Sequence, residues 1–210
     1  MQISMRLRRL GMIVAALLLP IALAPAASPA PEERAPTGTL AGQLLVASPE
    51  MGDPRFDHAV ILLVRQDKNG AMGIRINRPV EERSLASLLN ALGDTGSEVA
   101  GTVRIYSGGP VQPEIGFVLH TAEYHRPETL DIDGRLSITS SREILRDIGN
   151  QRGPAKSLVA FGYAGWGAGQ LEDELAHHVW FMASYDLPLI FEEDRDKVYD
   201  EAVKRRTQAL

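Results

Sequence analysis

The 210-residue chain contains no cysteine, which excludes disulfide bonds, thiolate nucleophiles, a lipid anchor on cysteine and metal centres with cysteine ligands. Aromatic residues are few, at 6 % of the chain. Basic residues are also fewer than acidic ones, with 22 Lys+Arg against 27 Asp+Glu and a formal net charge of −5. Because Lys and Arg supply most of the affinity for nucleic-acid phosphates, this balance argues against a nucleic-acid partner.

The N-terminus has the three parts of a secretory signal peptide. A basic stretch with three arginines precedes an apolar run over residues 10–23, and small residues and prolines follow. Ala24 and Ala26 supply the small side chains needed for cleavage after residue 26. The apolar run is shorter than the roughly 20 residues that span a bilayer. We therefore predict a signal peptide over residues 1–26 and no membrane span in the mature chain.

The segment that follows the predicted signal is rich in Pro and Ala and almost devoid of large apolar side chains over residues 27–38. Such a composition buries too little surface to order itself, so we predict a flexible linker there. The remaining residues, 39–210, have the length of one domain.

Strand and helix signals alternate in this domain. An apolar run over 58–64 and alternating residues over 72–77 flank residues 68–70, where Asn-Gly favours the type I′ turn of a hairpin. Ser84 then begins a predicted helix whose leucines recur at i, i+3, i+4 and i+7, and Gly93 ends it.

The later part of the chain continues this mixture. Further strands are predicted over 103–106, 115–120, 136–138, 158–163 and 189–191. Further helices are predicted from the Ser140 cap to about Gly149, over 170–182 and over 195–209, the last being a charged surface helix. Ser140 and Glu143 have the spacing of a capping box for the first of these helices. Because hairpins occur together with strand–helix alternation, the pattern predicts a mixed α+β architecture.

A glycine-rich segment, GYAGWGAGQ at 162–170, follows a predicted strand and precedes a predicted helix. This is the position of a phosphate-binding loop, but the spacing matches neither the dinucleotide nor the P-loop motif. Acidic residues over 172–174 would also repel a phosphate from the helix N-terminus. We therefore interpret the glycines as residues that permit positive φ and close packing around Trp166, and we predict no cofactor.

The five histidines show none of the spacings of a metal site, so neither a metal site nor catalytic residues are predicted. Ser107 precedes Gly108 and Gly109 at a strand-to-turn junction, but no nucleophile-elbow motif is present. A hydrolase or metal-dependent enzyme that uses His58, His120 and carboxylates stays open as an alternative.

Several segments together resemble the YqgE/AlgH family of bacterial proteins. They are DPRF at 53–56, NGAMGIRINRP at 69–79, SGGPV at 107–111, GFVLH ending at His120, and GYAGWGAGQLEDEL at 162–175 followed by Trp180. The resemblance extends over about residues 40–191. It implies an α+β fold with a bifurcated, partly barrel-like sheet surrounded by helices. It implies no established catalytic role, and the family's label as a transcriptional regulator comes from an association with control of alginate biosynthesis.

The leading functional hypothesis is a non-enzymatic binding or regulatory module for an unidentified small molecule or protein, because no complete catalytic constellation is present in the sequence. Its predicted recognition surface consists of Asp53, Phe56, Asn77, Arg78, Gly108, Gly109, Tyr163, Gly165, Trp166, Gly167, Gly169, Gln170 and Glu172. The alternatives are the enzyme described above and a transcriptional regulator, as the family label suggests.

We predict export to the periplasm. Fractionation of the native cells, followed by N-terminal sequencing of the recovered protein, should give a periplasmic chain that begins near Ala27. Typical members of the resembled family look cytosolic, so a cytosolic chain that begins near Thr39 would contradict this prediction.

Overall fold

The computed structural model describes residues 39–95 and 98–207. The predicted signal peptide and linker, over 1–26 and 27–38, lie outside these ranges. Within the described ranges, no helix combines the length and apolar character needed to cross a membrane.

The described residues form ten strands and five α-helices. The strands are β1 (Leu44–Ala47), β2 (Val60–Asp67), β3 (Gly70–Arg75), β4 (Pro79–Ser84), β5 (Thr102–Ser107), β6 (Val111–Thr121), β7 (Thr129–Asp131), β8 (Leu136–Thr139), β9 (Ser157–Gly167) and β10 (Trp180–Ala183). The helices are α1 (Leu85–Ala91), α2 (Glu143–Gly149), α3 (Gln170–Ala176), α4 (Leu187–Phe191) and α5 (Val198–Lys204), and a 3₁₀ turn spans Pro54–Phe56.

The sheet divides at β9. Its main path runs β10-β1-β2-β3-β9-β6-β8-β7. One edge of β9 pairs in parallel with β5 through residues 159–161 and then antiparallel with β3 through residues 164–167, while the other edge pairs with β6. β4 extends the branch by pairing with β5. The sheet curls into a half-barrel, which confirms the predicted α+β class and the bifurcated sheet.

Both faces of β2 are buried over residues 60–64, which explains the continuous apolar run there. Val60, Leu62 and Val64 point into a core shared with α4 and α5. Ile61 and Leu63 point the other way, into a second core that contains both tryptophans. A third core lies between the helix pair α1 and α2 and the strands β5, β6 and β9. Successive side chains of a strand alternate between its faces, so a central strand covered on both sides is apolar throughout.

The predicted hairpin and the helix after Ser84 are confirmed, and the Ser84 side chain accepts a hydrogen bond from the Ser87 amide. The predicted type I′ turn is wrong, because Asp67 pairs with Gly70 and the intervening Lys68 and Asn69 have no positive φ. The predicted strands after residue 102 are also present as β5, β6, β8 and β9, although β9 extends to Gly167 rather than ending at residue 163.

The predicted helix over 170–182 is wrong in its second half. α3 ends at Ala176, and His178 has a left-handed φ of 57°. Residues 180–183 instead form β10, which pairs antiparallel with β1 and buries Trp180 and Met182. Tertiary pairing with a strand far away in sequence therefore overrides the local helical spacing.

The predicted strand over 189–191 is also wrong, because these residues belong to α4. Asp186 caps this helix by accepting a hydrogen bond from the Leu189 amide, and Pro188 lies in its first turn. The terminal helix is shorter than predicted and is not purely a surface helix, since Val198 and Ala202 in α5 are buried.

The predicted capping box of Ser140 and Glu143 is wrong, because the N-cap of α2 is Arg142, which makes no side-chain capping hydrogen bond. α2 begins at Glu143, whose amide donates to the Ser141 hydroxyl, while that hydroxyl donates to the Glu143 carboxylate. Ser141, rather than Ser140, is therefore the serine whose side chain bonds to the first residue of α2.

We predict that Gly162→Ala destabilises the fold far more than Gly134→Ala. The two glycines have nearly equal φ angles, +73° and +77°. A Cβ at Gly162 would lie 2.4 Å from the Gly109 carbonyl oxygen, whereas one at Gly134 would meet no atom within 4 Å. Chemical denaturation should give a loss of about 1 kcal/mol for Gly134→Ala and about 3 kcal/mol or more for Gly162→Ala. Equal losses would mean that the backbone angle alone, not the close contact, requires glycine.

Candidate functional site

Two adjoining cavities open where five segments of the chain meet. These segments are the loop between β1 and β2, the end of β3 with the residues after it, the turn between β5 and β6, the junction of β9 with α3, and the start of β10. The first cavity, here called the aromatic cleft, has a volume of about 440 Å³. It is lined by Met51, Gly52, Asp53, Arg55, Phe56, Pro110, Val111, Gly165, Trp166, Gln170, Glu174, Val179 and Trp180.

The second cavity, here called the arginine pocket, has a volume of about 380 Å³. It is lined by Pro54, Arg55, Phe56, Arg75, Arg78, Ser107, Gly109 and Pro110. Arg55, Phe56 and Pro110 line both cavities, so the two lie side by side.

The wall of the aromatic cleft is held by a single carboxylate. The Nε1 atoms of Trp166 and Trp180 donate to the same Oε2 atom of Glu174, over 2.8 and 2.7 Å. Gln170 donates to the other carboxylate oxygen over 2.8 Å. The two indoles meet edge to face at 5.9 Å, and Phe56 meets Trp180 in the same way at 5.5 Å. Trp166 and Trp180, only 7 % and 2 % exposed, therefore form a rigid inner wall of the cleft that is built before any ligand arrives.

The loop that bears Phe56 is fixed by its own sequence. Asp53 caps the 3₁₀ turn by accepting from the Arg55 amide at 2.9 Å, and Pro54 occupies its first position. The Arg55 side chain returns to the same carboxylate, with Nη2 2.6 Å from Oδ2. This hydrogen bond lowers the pKa of the Asp53 carboxyl group.

Arg75 forms the buried side of the arginine pocket. Its side chain extends from β3 and the residue is only 7 % exposed. Nη1 donates to the Arg55 carbonyl at 2.8 Å, Nη2 to the Asp57 carbonyl at 3.0 Å, and Nε to Asn77 Oδ1 at 3.4 Å. Burial, followed by the charge of Arg78, lowers its pKa to about 10, while Asp57 opposes the shift.

Seven of the thirteen predicted recognition residues line the two cavities. They are Asp53, Phe56, Arg78, Gly109, Gly165, Trp166 and Gln170. These residues come from four segments, each more than 20 positions from the next, so the fold brings together residues that separate sequence motifs contain.

The other six predicted recognition residues shape the surroundings. Asn77 accepts from the Val60 amide and donates to the His58 carbonyl. A Cβ at Gly108 would lie 2.3 Å from the Gly162 carbonyl oxygen, so this glycine allows the backbones to cross. Tyr163 packs edge to face on Phe117, on the α4 and α5 side of the sheet.

The remaining three lie around the start of α3. The Gly167 amide donates to Gln170 Oε1, and Gly169 precedes the helix with a left-handed φ of 77°. Glu172 accepts from Gln66. The segment therefore has no free loop of amides of the kind that binds phosphate, since residues up to Gly167 belong to β9.

Sequence analysis missed Arg55, Arg75, Glu174 and Trp180 as site residues. The sequence did contain a signal that Arg75 is buried. This residue lies between Ile74 and Ile76, on a strand predicted to pair with the 58–64 run, which is apolar on both faces. Such a neighbour predicts burial of both faces of β3, and hence a buried arginine. The role of Glu174 had no such signal, since Trp166 and Trp180 approach it only through pairing of β10 with β1.

The structure does not bring His58 and His120 together. His120 is 0 % exposed on β6, where Nδ1 donates to the Thr121 carbonyl and Nε2 accepts from the Thr139 hydroxyl. His58 is exposed and pairs with Asp57. In the ranges that the structure describes, no group of three or more His, Asp or Glu residues is arranged to hold a metal ion.

The branched half-barrel sheet with its surface helices and preformed cleft defines an α+β protein with two adjoining surface cavities. Residues 44–209 match the AlgH-like family. The chain belongs to this family, which confirms the resemblance identified in the sequence.

Relatives and solved structures agree with this membership. A UPF0301 protein of Rhodospirillum rubrum is 44% identical over 80% of this chain and 88% of its own, and one of Caulobacter vibrioides is 41% identical over 79% and 86%. The solution structure of AlgH from Pseudomonas aeruginosa superposes with a TM-score of 0.69 at 37% identity, covering 83% of this chain and 92% of that one. A crystal structure from Corynebacterium diphtheriae, at 19% identity, a TM-score of 0.62 and 80% and 87% coverage, shares the fold.

We predict that the fold loses stability between pH 7 and pH 5 through His120. Burial lowers the pKa of this imidazole below its ordinary 6.5. The unfolded chain therefore takes up the proton first, so the contribution is complete above about pH 6.5. It is lost as the pH falls towards the pKa of the folded state, by at most about 1.4 kcal/mol per pH unit.

Urea denaturation at a series of pH values tests this prediction. His120→Gln should flatten the decline between pH 6.5 and pH 5. The exposed His125→Gln leaves the His120 ring in place and should keep the decline. An unchanged slope in His120→Gln would assign the pH dependence to other groups.

Proposed function

We propose that this protein is a non-enzymatic binding module that takes an apolar group of a small molecule or protein partner into the aromatic cleft. The observation that supports the proposal most strongly is the pair of indoles fixed by Glu174. Binding surfaces gain most from large rigid aromatic groups that lose little conformational freedom when they are covered.

The composition of the cleft favours binding of apolar surface. Met51, Phe56, Pro110, Val111 and Val179 join the two tryptophans around it. Its volume of about 440 Å³ falls within the range of small-molecule sites, about 300–1,000 Å³. The cleft is therefore large enough for an aromatic or branched aliphatic group.

The polar side chains of the cleft already have structural partners. Asp53 binds Arg55, and Glu174 accepts from Trp166, Trp180 and Gln170. A general base must be able to reach a substrate proton, and these carboxylates hold the site together instead. This arrangement favours recognition over catalysis.

The experiment uses the fact that the chain has just two tryptophans, both in the cleft. Protein labelled with 5-fluorotryptophan should give two ¹⁹F NMR signals that report on this site alone. We expect saturable shifts with neutral apolar probes such as indole and N-acetyl-phenylalaninamide. Phe56→Ala should weaken their binding about tenfold, since one wall of the cleft is lost.

The matched control is Leu130→Ala, which removes an exposed apolar side chain from β7, outside the cleft. This variant should bind the probes as the unmodified protein does. If neither ¹⁹F signal moves with any neutral apolar probe up to its solubility limit, the proposed function is wrong.

A further inference from the structure

We infer that the arginine pocket binds an anionic group, a carboxylate or a phosphate monoester, of the ligand whose apolar part lies in the aromatic cleft. This inference rests on the proposed function, because it places both groups on one molecule. It names the ligand as an amphipathic anion.

The buried guanidinium of Arg75 is the first argument. Its three hydrogen bonds end on two carbonyls and one amide oxygen, and in the described ranges its side chain forms no ion pair. A guanidinium has five N–H groups, so two of them remain without a protein acceptor. A buried charge with neutral partners only is costly, and an anion placed against it offsets that cost.

The second argument is the charge around the pocket. Three of its eight lining residues are arginines and none is acidic. The Asp53 carboxylate forms an ion pair with Arg55, and the carboxylate of the exposed Asp57 contacts the His58 ring. Arg78 is exposed and its side chain has no ion pair within the described part of the chain. The chain as a whole has a net charge of −5, so the positive charge of this pocket is opposite in sign to the charge of the chain.

The third argument is the arrangement of the two cavities. Arg55, Phe56 and Pro110 line both, so an apolar group beside Trp166 can be covalently joined to an anion beside Arg75. The Ser107 hydroxyl also lines the pocket and offers a further hydrogen-bond donor to an oxyanion. Guanidinium groups bind carboxylate and phosphate oxygens through paired hydrogen bonds, which fixes the orientation of the anion.

The test compares probes that share an apolar body and differ in charge. N-acetyl-phenylalanine carries a carboxylate, N-acetyl-phenylalaninamide is neutral, and benzylphosphonate carries a phosphate-like group. Affinities are measured by ¹⁹F NMR of the fluorotryptophan protein and by ¹⁵N amide shifts of the 53–56 and 107–111 segments. Inorganic phosphate serves as an anion without an apolar body.

We expect the carboxylate to bind about tenfold more tightly than its amide, with the advantage shrinking as salt is added. Arg78→Gln should remove this advantage and leave the affinity for the amide unchanged. Arg65→Gln is the matched control, because it deletes an exposed arginine of β2 that does not line either cavity. The ratio of benzylphosphonate to N-acetyl-phenylalanine affinity shows whether phosphate or carboxylate is the preferred group.

The outcomes separate this inference from the proposed function. Equal affinities for acid and amide, unaffected by Arg78→Gln, would overturn the anion site and leave the apolar cleft standing. A different outcome is that inorganic phosphate and benzylphosphonate shift the signals, that Arg78→Gln abolishes these shifts, and that the amide causes none. This outcome would support the anion site and contradict the proposed function. Silence of all three anions would overturn the inference.

Discussion

The site depends on the close crossing of two backbones, the turn between β5 and β6 and the middle of β9. A Cβ at Gly109 would lie 2.1 Å from the Tyr163 carbonyl carbon, and one at Gly108 would lie 2.3 Å from the Gly162 carbonyl oxygen. Only glycine allows this approach. At the crossing the Gly108 amide donates to the Phe161 carbonyl, and the Gly108 carbonyl accepts from the Arg75 backbone amide, so the turn is joined to both β9 and β3 at one point.

This crossing also explains why the sheet branches where the cavities lie. β9 stops pairing with β5 after residue 161 and begins to pair with β3 at residue 164. The turn after β5 crosses β9 between these two positions. Pro110 of this turn lines the aromatic cleft together with Phe56 and with Trp166 of β9. The glycines singled out in the sequence therefore act mainly through the backbone, and the side chains they position form the site.

The sequence predicted those parts of the fold whose signals are local. The Asn-Gly hairpin, the Ser84 cap and the family motifs all depend on residues within a few positions of one another. The errors fall where a distant element decides. Residues 180–183 have helical spacing with the preceding leucines, but the exposed edge of β1 offers them backbone partners. Residues 187–191 form a helix because Asp186 and Pro188 favour its start, although Leu-Ile-Phe alone suggests a strand.

The same distinction applies to the candidate site. The motifs indicated seven of the residues that line it, yet they did not indicate which side chains of the site form hydrogen bonds with one another. Glu174 was part of a family motif, but its role requires Trp166 and Trp180 to meet, and 13 positions with an intervening helix separate them. Spacing in sequence cannot report that distance. It is set by the pairing of β10 with β1 and of β9 with β3.

Arg75 connects the stability of the fold with the geometry of both cavities. Its guanidinium is bonded to the carbonyls of Arg55 and Asp57, so it holds the loop that presents Phe56. Burying that charge opposes folding, and the loop's carbonyl dipoles offset only part of the cost. A bound anion would lower the cost further and strengthen the same contacts. Because Phe56 lies on the loop so held, binding of an anion in the arginine pocket would be thermodynamically linked to order in the aromatic cleft, and each would favour the other.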